Sequence, residues 1–143
     1  MQQPAFKLNT EVDMSSDKKR SLEVAGVSHG GAPIPMGARV GNMIISSGIM
    51  GRDPATDTLP ADGAAQARFA FQNMRSLLAA GGASLDHLAR MTVFIKDDSV
   101  RAAINEEWIK CFPDPHDRPA RHTLVYDLRG GMLLQLEIIA VVS

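Results

Sequence analysis

The sequence predicts an α+β domain in which one mixed β-sheet carries two helices packed on one face. Several short stretches alternate apolar and polar residues, which is typical of strands. Two longer stretches repeat apolar residues at spacings of three and four, which is typical of helices with one buried face. In chain order these patterns read β-β-β-α-β-α-β-β. The order favours a single sheet over separate layers of strands.

Three strands are predicted before the first helix. Residues 21–24 alternate briefly, and residues 38–40 and 43–47 flank the pair Gly41-Asn42. This arrangement indicates a hairpin with a two-residue turn. The segment 51–60 is rich in turn residues and predicts a loop connection to the helix.

The first helix is expected over about 63–80, with Asp62 as its N-cap. Residues 91–95 follow as a strand, and Ser99 is expected to cap the second helix, which stops before Pro113. The expected buried residues of the two helices are Ala67, Ala70 or Phe71, Met74, Leu77 and Leu78 in the first, and Val100, Ile104, Trp108 and Cys111 in the second. The last two strands are expected at 121–126 and 133–142.

Length and composition bound the class of protein. The 143 residues suit one domain, 21–143, preceded by a polar segment, 1–20, that is expected to be a flexible extension. A net charge of −1 gives no field that would attract nucleic acid, and no apolar run is long enough to cross a membrane. The single cysteine, Cys111, indicates a reducing compartment, and we expect a cytoplasmic protein.

Several kinds of catalytic site are unsupported by the sequence. The four histidines show no metal-ligand spacing, so no metal is expected. No glycine-rich phosphate loop follows a strand, so no nucleotide cofactor is expected. Cys111 lies on the apolar stripe of the second helix, where packing is favoured over reactivity.

Charged residues on the last strands form the candidate site. Arg121 follows a proline-led turn and begins a strand, where its planar guanidinium could bind a carboxylate. Gln135 and Glu137 share one face of the final strand. Glu137 stands among apolar residues, so a pairing with Arg121 on a neighbouring strand is one interpretation, and an exposed position on an edge strand is the other.

The face of the sheet opposite the helices needs a cover. Ile44, Val93, Val125 and Ile139 are candidates for that face and would otherwise meet water. The sequence therefore predicts self-association.

A set of short blocks resembles one known family, the Rid (YjgF-type) family of reactive-intermediate imine and enamine deaminases. The resemblance extends from about residue 21 to residue 142. The blocks that carry it are Ala32-Pro33, residues 40–48, residues 53–56, Gln66-Ala67-Arg68, residues 79–86, residues 92–97, Asn105-Glu106, Arg118-Pro119-Ala120-Arg121 and residues 136–141.

The resemblance implies a chorismate-mutase-like fold, a homotrimer with clefts between subunits, and no cofactor. It also implies hydrolysis of 2-enamine or 2-imine carboxylic acids to 2-keto acids and ammonia. Arg121 would hold the substrate carboxylate, the backbone carbonyl of Thr123 would lie beside the imine nitrogen, and Gly48 would line the cleft. Ile34 and Asn105 are further expected substrate-binding residues.

Two positions depart from the family pattern. Ile34 stands where many members have a tyrosine, and Gln135 stands where a glutamate helps to position the attacking water. Glutamine can orient a water but cannot accept its proton near neutral pH. Either Glu137 takes over from the same face, or the substrate supplies its own activation, or hydrolysis is weak.

Three other functions remain open at this stage. One is a 2-aminomuconate-type deaminase, whose longer dicarboxylate would need a second cation such as Arg39 or Arg52. Another is a non-catalytic trimer that binds small carboxylates or acts as a chaperone, which Gln135 favours. A ribonuclease role, also attached to this family, is the least supported because of the balanced charge.

Overall fold

The computed structural model describes residues 19–143 of the chain. The strands are β1 (Ser21–Leu22), β2 (Gly37–Val40), β3 (Met43–Ser46), β4 (Ile49–Met50), β5 (Leu88–Ile95), β6 (Ala120–Val125) and β7 (Leu134–Val141), and the helices are α1 (Gly63–Ala80) and α2 (Arg101–Cys111). The expected flexible extension, 1–20, lies almost entirely outside the described residues and stays a prediction.

The strands form one mixed sheet with the order β1-β2-β3-β7-β5-β6, and β4 pairs beside β3 on β7. Only β5 and β6 are parallel, because the crossover through α2 returns the chain to the same end of the sheet. The predicted element order is confirmed with one addition. The two-residue strand β4 was not predicted because so short a pairing leaves no alternation pattern.

The first helix agrees with its sequence pattern. Asp62 caps it by accepting a hydrogen bond from the backbone N–H of Ala65 at 3.2 Å. At the other end, the N–H of Gly81 donates to the carbonyl of Leu77. The predicted apolar stripe is buried, together with two polar residues that the apolar pattern could not reveal, Gln66 and Asn73.

The start of the second helix differs from the prediction. Ser99 does not cap it; Asp97 accepts a hydrogen bond from the Ser99 N–H at 2.8 Å, and a short 3₁₀ turn precedes Arg101. Asp97 thus caps the 3₁₀ turn, and α2 itself begins without a side-chain cap. Cys111, expected on the buried stripe, is only half-buried at the end of the helix.

Both helices pack on one face of the sheet, as predicted, and leave the other face open. The strand residues that face the helices include Ile44 and Val93, which are fully buried. Assigning these two to the uncovered face was wrong, because the pairing register places them with the core. Val125 is exposed but pairs with buried Ile95 and so belongs to the helix side.

The open face of the sheet carries apolar residues beside the polar side chains of Thr92, Gln135 and Glu137. Ile139 lies there as predicted, paired with Ile45 of β3. Its large exposed members are Val40, Met43, Ile45, Leu124 and Val141. A patch of this kind on a small domain is typical of an association surface.

Gln66 ties α1 to the two loops beside it. Its amide nitrogen donates to the carbonyls of Pro60 at 2.8 Å and Gly131 at 3.0 Å, and its amide oxygen accepts from the N–H of Leu133 at 2.9 Å. The side chain is completely buried. It thus satisfies three backbone groups of the two loops.

We expect Gln66→Leu to destabilise the fold strongly. Each of the three lost hydrogen bonds costs about 0.5–1.5 kcal/mol, so the melting temperature should fall by on the order of 10 °C. Thermal unfolding followed by circular dichroism measures the loss. Gln72→Leu, at an exposed position of the same helix, is the control and should change stability little. Equal melting temperatures for the two variants would contradict the assigned role.

Candidate active site

Arg121 lies near the start of a strand, as the sequence predicts, and that strand is at the edge of the sheet. It is the second residue of β6, the terminal strand, and it pairs with Met91 of β5. Because Met91 is buried against the helices, Arg121 also points to the helix side. Its guanidinium lies over the ring of Trp108 of α2, with 5.1 Å between the guanidinium carbon and the ring centroid.

The guanidinium is oriented but not neutralised. Its Nε donates to the Thr123 hydroxyl at 3.1 Å, which leaves both terminal nitrogens free of partners within residues 19–143. No carboxylate in that part of the chain lies within 4 Å of Arg121. The two terminal nitrogens form the planar fork that a carboxylate binds with two parallel hydrogen bonds.

The surroundings of Arg121 make an anionic ligand favourable. Burial lowers the pKa of the Arg121 guanidinium, and the positive charge of Arg101 lowers it further. Both effects disfavour the unpaired cation, so a bound carboxylate would relieve them. We name Arg121, Thr123 and Trp108 the arginine cluster.

A second group of residues converges on Gly48, in the break between β3 and β4. The Gln135 side chain covers Gly48 so closely that a methyl group there would overlap its amide nitrogen. On another side, His29 Nε2 lies 2.9 Å from the Gly48 carbonyl oxygen. We name His29, Gly48 and Gln135 the Gly48 cluster. The sequence pointed to Gly48 and Gln135 as site residues but not to His29, because a histidine in a loop follows no periodic pattern.

We expect Gly48→Ala to displace the Gln135 amide from the cluster. The added methyl group meets the flexible end of the Gln135 side chain, so the fold should survive while the site loses its geometry. Turnover should fall about tenfold or more, since small misplacements near reacting groups are costly. Gly31→Ala is the control, because a methyl group at Gly31 meets nothing within 4 Å. Wild-type turnover in Gly48→Ala would show that this packing is unimportant.

Glu137 does not pair with Arg121. The pairing interpretation was wrong because β5 separates β7 from β6, and Glu137 faces the open side of the sheet. The side chain is exposed, which agrees with the other interpretation. Glu137 lies on the same face of β7 as Gln135, two residues further along the strand, as predicted. A role for Glu137 in positioning water stays a prediction.

The remaining predicted residues lie elsewhere. Ile34 is half exposed in the loop that follows His29, and Asn105 is exposed on α2 beside a groove lined by Gly63 and Ile109. Within residues 19–143, neither one hydrogen-bonds to the two clusters. Burial raises the pKa of the Cys111 thiol, which favours its protonated form.

The described residues also bear on metals and membranes. No group of three or more histidine, cysteine, aspartate or glutamate side chains in residues 19–143 could hold a metal ion. Neither described helix is long and apolar enough to span a bilayer.

In one chain the two clusters cannot contact the same small molecule. Arg121 is on β6 and Gln135 on β7, two strand spacings or about 10 Å apart. Their side chains also leave opposite faces of the sheet. A site that uses both clusters needs two copies of the chain.

Fold and clusters together define a small α+β protein with a half-buried arginine, free of ion pairs within residues 19–143, at a sheet edge. The model of the Endoribonuclease L-PSP family matches residues 34–142. The 2-iminobutanoate/2-iminopropanoate deaminase of Escherichia coli (strain K12) is 35% identical over 111 residues, covering 76% of this chain and 87% of the relative. The chain belongs to this family, which includes the YjgF and RidA proteins.

Solved structures agree with this assignment. E. coli TdcF with bound serine superposes with a TM-score of 0.78 at 31% identity, covering 87% of this chain and all of that one. The E. coli YjgF protein gives a TM-score of 0.76 at 30% identity, covering 86% and 98% of the two chains. The expected chorismate-mutase-like fold is thereby confirmed.

Proposed function

We propose that this protein hydrolyses reactive 2-imine and 2-enamine carboxylic acids to 2-keto acids and ammonia. The observation that carries the proposal is the half-buried Arg121, held by Thr123 and Trp108 with both terminal nitrogens free within residues 19–143. A relative 35% identical to this chain is named a deaminase of 2-iminobutanoate and 2-iminopropanoate. Both of those compounds carry the carboxylate that Arg121 would bind.

The proposed site lies between subunits of a homotrimer. Arg121 of one subunit would face the Gly48 cluster of the next, because the two clusters of one chain are too far apart. The exposed apolar face of the sheet supports such an assembly, since its burial would stabilise the contact. The chain has one cysteine and so cannot form an internal disulfide, which supports a location in the reducing cytoplasm.

The chemistry needs modest help from the protein. Arg121 would fix the carboxylate, and the carbonyl of Thr123 would accept a hydrogen bond from the iminium nitrogen. Water attacks the C=N carbon, a C–O bond forms, and the π electron pair moves to nitrogen. One proton then moves from the oxygen to the nitrogen, and the other is released to solvent as the C=O bond forms and the C–N bond breaks, so the products are a 2-keto acid and ammonia. No metal or organic cofactor takes part.

A dicarboxylate substrate such as 2-aminomuconate fits less well. Arg39 donates to the carbonyls of Gly81 at 2.6 Å and Gly41 at 2.9 Å, so it is engaged at the end of α1. Arg52 pairs with Asp57. Neither candidate second cation is free to bind a second carboxylate.

The test is an assay of keto-acid release from imines that an amino-acid oxidase generates in situ. We expect the protein to accelerate release above the spontaneous rate, and Arg121→Ala to abolish the acceleration. A binding protein without catalytic activity would be stabilised against heat by 2-keto acids but would leave the rate unchanged. Cleavage of RNA that survives in Arg121→Ala, without imine hydrolysis, would favour a nuclease and overturn the proposal.

A further inference from the structure

A second arginine lies beside the arginine cluster. Arg101 is the first residue of α2, and Trp108, whose ring lies under the Arg121 guanidinium, is seven residues further along the same helix. Residues at i, i+4 and i+7 share one face of a helix, so Arg101, Asn105 and Trp108 form one row. The two ends of this row are two turns apart, or about 10 Å along the helix axis. The face of α2 next to Arg121 therefore carries a second cation.

The charge of Arg101 acts on Arg121. After burial, it is the second cause that lowers the pKa of the Arg121 guanidinium. Like charges affect each other in this way at short range, because water and salt screen distant pairs. Arg101 also occupies the first position of α2, where the helix dipole favours an anion over a cation. A ligand with negative charge at both arginines would offset these unfavourable interactions.

The ion pair that Arg101 forms leaves it able to bind a ligand. Its Nε and Nη2 both donate to one oxygen of Asp98, at 3.3 and 3.0 Å, and its Nη1 has no partner within residues 19–143. The side chain of Asp98 is 78% exposed and that of Arg101 is 43% exposed, so water weakens the pair. Arg39 and Arg52, in contrast, are each held by a backbone carbonyl at 2.6 Å. A ligand carboxylate can therefore replace Asp98 at Arg101.

No acidic side chain lies on the row between the two arginines. Asn105, at its middle, is exposed, and its amide can both donate and accept a hydrogen bond. The two glutamates that follow, Glu106 and Glu107, lie on other faces of the helix because each residue turns the chain by about 100°. Glu107 pairs there with Lys110 at 3.2 Å. An anion along this row thus meets two cations and a neutral amide.

We propose that Arg101 binds a second carboxylate of the substrate, so that the imines hydrolysed include 2-imine dicarboxylic acids with four or five carbons. This inference rests on the proposed function and names a substrate class for the same site. Arg121 holds the carboxylate next to the C=N carbon, and Arg101 holds the one at the far end.

The spacing of the row suits a short diacid. Each pair of guanidinium and carboxylate spans about 3 Å, so two such pairs along a row of about 10 Å leave about 4 Å between the carboxylates. A backbone of four or five carbons has this reach. Both arginines belong to one chain, so the pairing requires no particular arrangement of neighbouring subunits.

The first experiment compares two keto acids of equal length by titration calorimetry. 2-Oxoglutarate and 2-oxopentanoate differ only at the far end, which is a carboxylate in one and a methyl group in the other. We expect wild type to bind 2-oxoglutarate about tenfold more tightly, and Arg101→Gln to lose this preference with the charge. Arg101→Lys keeps the charge and should keep part of it. Lys110→Gln, which removes a similarly paired cation from the opposite face of α2, is the control and should keep all of it.

The second experiment measures hydrolysis of the corresponding imines, which amino-acid oxidases generate from L-glutamate and L-norvaline. The far carboxylate is remote from the reacting carbon, so Arg101 should contribute to binding rather than to the chemical step. For 2-iminoglutarate we expect Arg101→Gln to raise KM about tenfold and to change kcat less than about twofold. Asp98→Asn removes the competing carboxylate and should lower that KM.

The two experiments separate this inference from the proposed function. Equal affinity of wild type for the two keto acids would overturn the role of Arg101, and so would a loss of preference that Lys110→Gln shares. If wild type still hydrolysed 2-iminopentanoate, the proposed function would stand. Absence of hydrolysis of both imines would overturn the proposed function, and the two dissociation constants would still decide whether Arg101 binds a carboxylate.

Discussion

Arg121→Ala should abolish imine hydrolysis while leaving the protein folded. Loss of a charge-paired arginine at a desolvated contact costs about 2–5 kcal/mol, or roughly 30-fold to several thousand-fold in kcat/KM. The half-buried guanidinium contacts Thr123 and Trp108 but forms no ion pair within residues 19–143, so its removal breaks no salt bridge there. Steady-state kinetics and a melting curve give the two readouts.

Two further variants sharpen this prediction. Arg121→Lys keeps the charge but loses the planar fork, so it should recover only part of the binding. Arg129→Ala removes an arginine whose side chain is 85% exposed and should leave kinetics unchanged. If Arg121→Ala retained wild-type kcat and KM, Arg121 could not be the carboxylate-binding residue.

Trp108→Ala should have the largest effect on stability. The indole is buried, packs against Phe112 with ring centroids 4.8 Å apart, and supports the guanidinium of Arg121. Removing a buried aromatic side chain costs about 3–5 kcal/mol. Urea denaturation measures the free energy of unfolding, and the loss should appear as a lower midpoint with an unchanged slope.

The support of Arg121 by the ring can be separated from core packing. Trp108→Phe and Trp108→Leu both keep an apolar side chain, but only phenylalanine keeps an aromatic face for the guanidinium. We expect a KM a few-fold higher for the leucine variant than for the phenylalanine variant, at similar stability. Equal KM values would show that the ring of Trp108 contributes to the core alone.

The fold was largely predictable because its signals are local. Asp62 and the apolar stripe of α1 define the helix without reference to distant residues. The face of Ile44 was not predictable, since β3 has buried Ile44 on one side and exposed Met43 and Ile45 on the other. Val93 alternates with the partly buried Phe94, so its strand also has an apolar residue on each side. Hydropathy alone cannot tell an association surface from a core.

The candidate site was predictable only in part. Arg121 stands out because a proline-led turn precedes an edge strand. The sequence pattern does not reveal the order of the strands in the sheet. That order places β5 between β7, which carries Glu137, and β6, which carries Arg121. The contact of His29 with Gly48 joins residues 19 positions apart through a loop without regular structure, which no periodicity reports.

A crystal structure of the protein soaked with 2-oxobutanoate tests the central claim most directly. We expect the carboxylate of this product-like ligand to lie about 3 Å from both terminal nitrogens of Arg121, with Gly48 and His29 of a neighbouring subunit on its other side. A ligand bound away from Arg121, or an Arg121 whose terminal nitrogens are neutralised by a protein carboxylate of the neighbour, would contradict it.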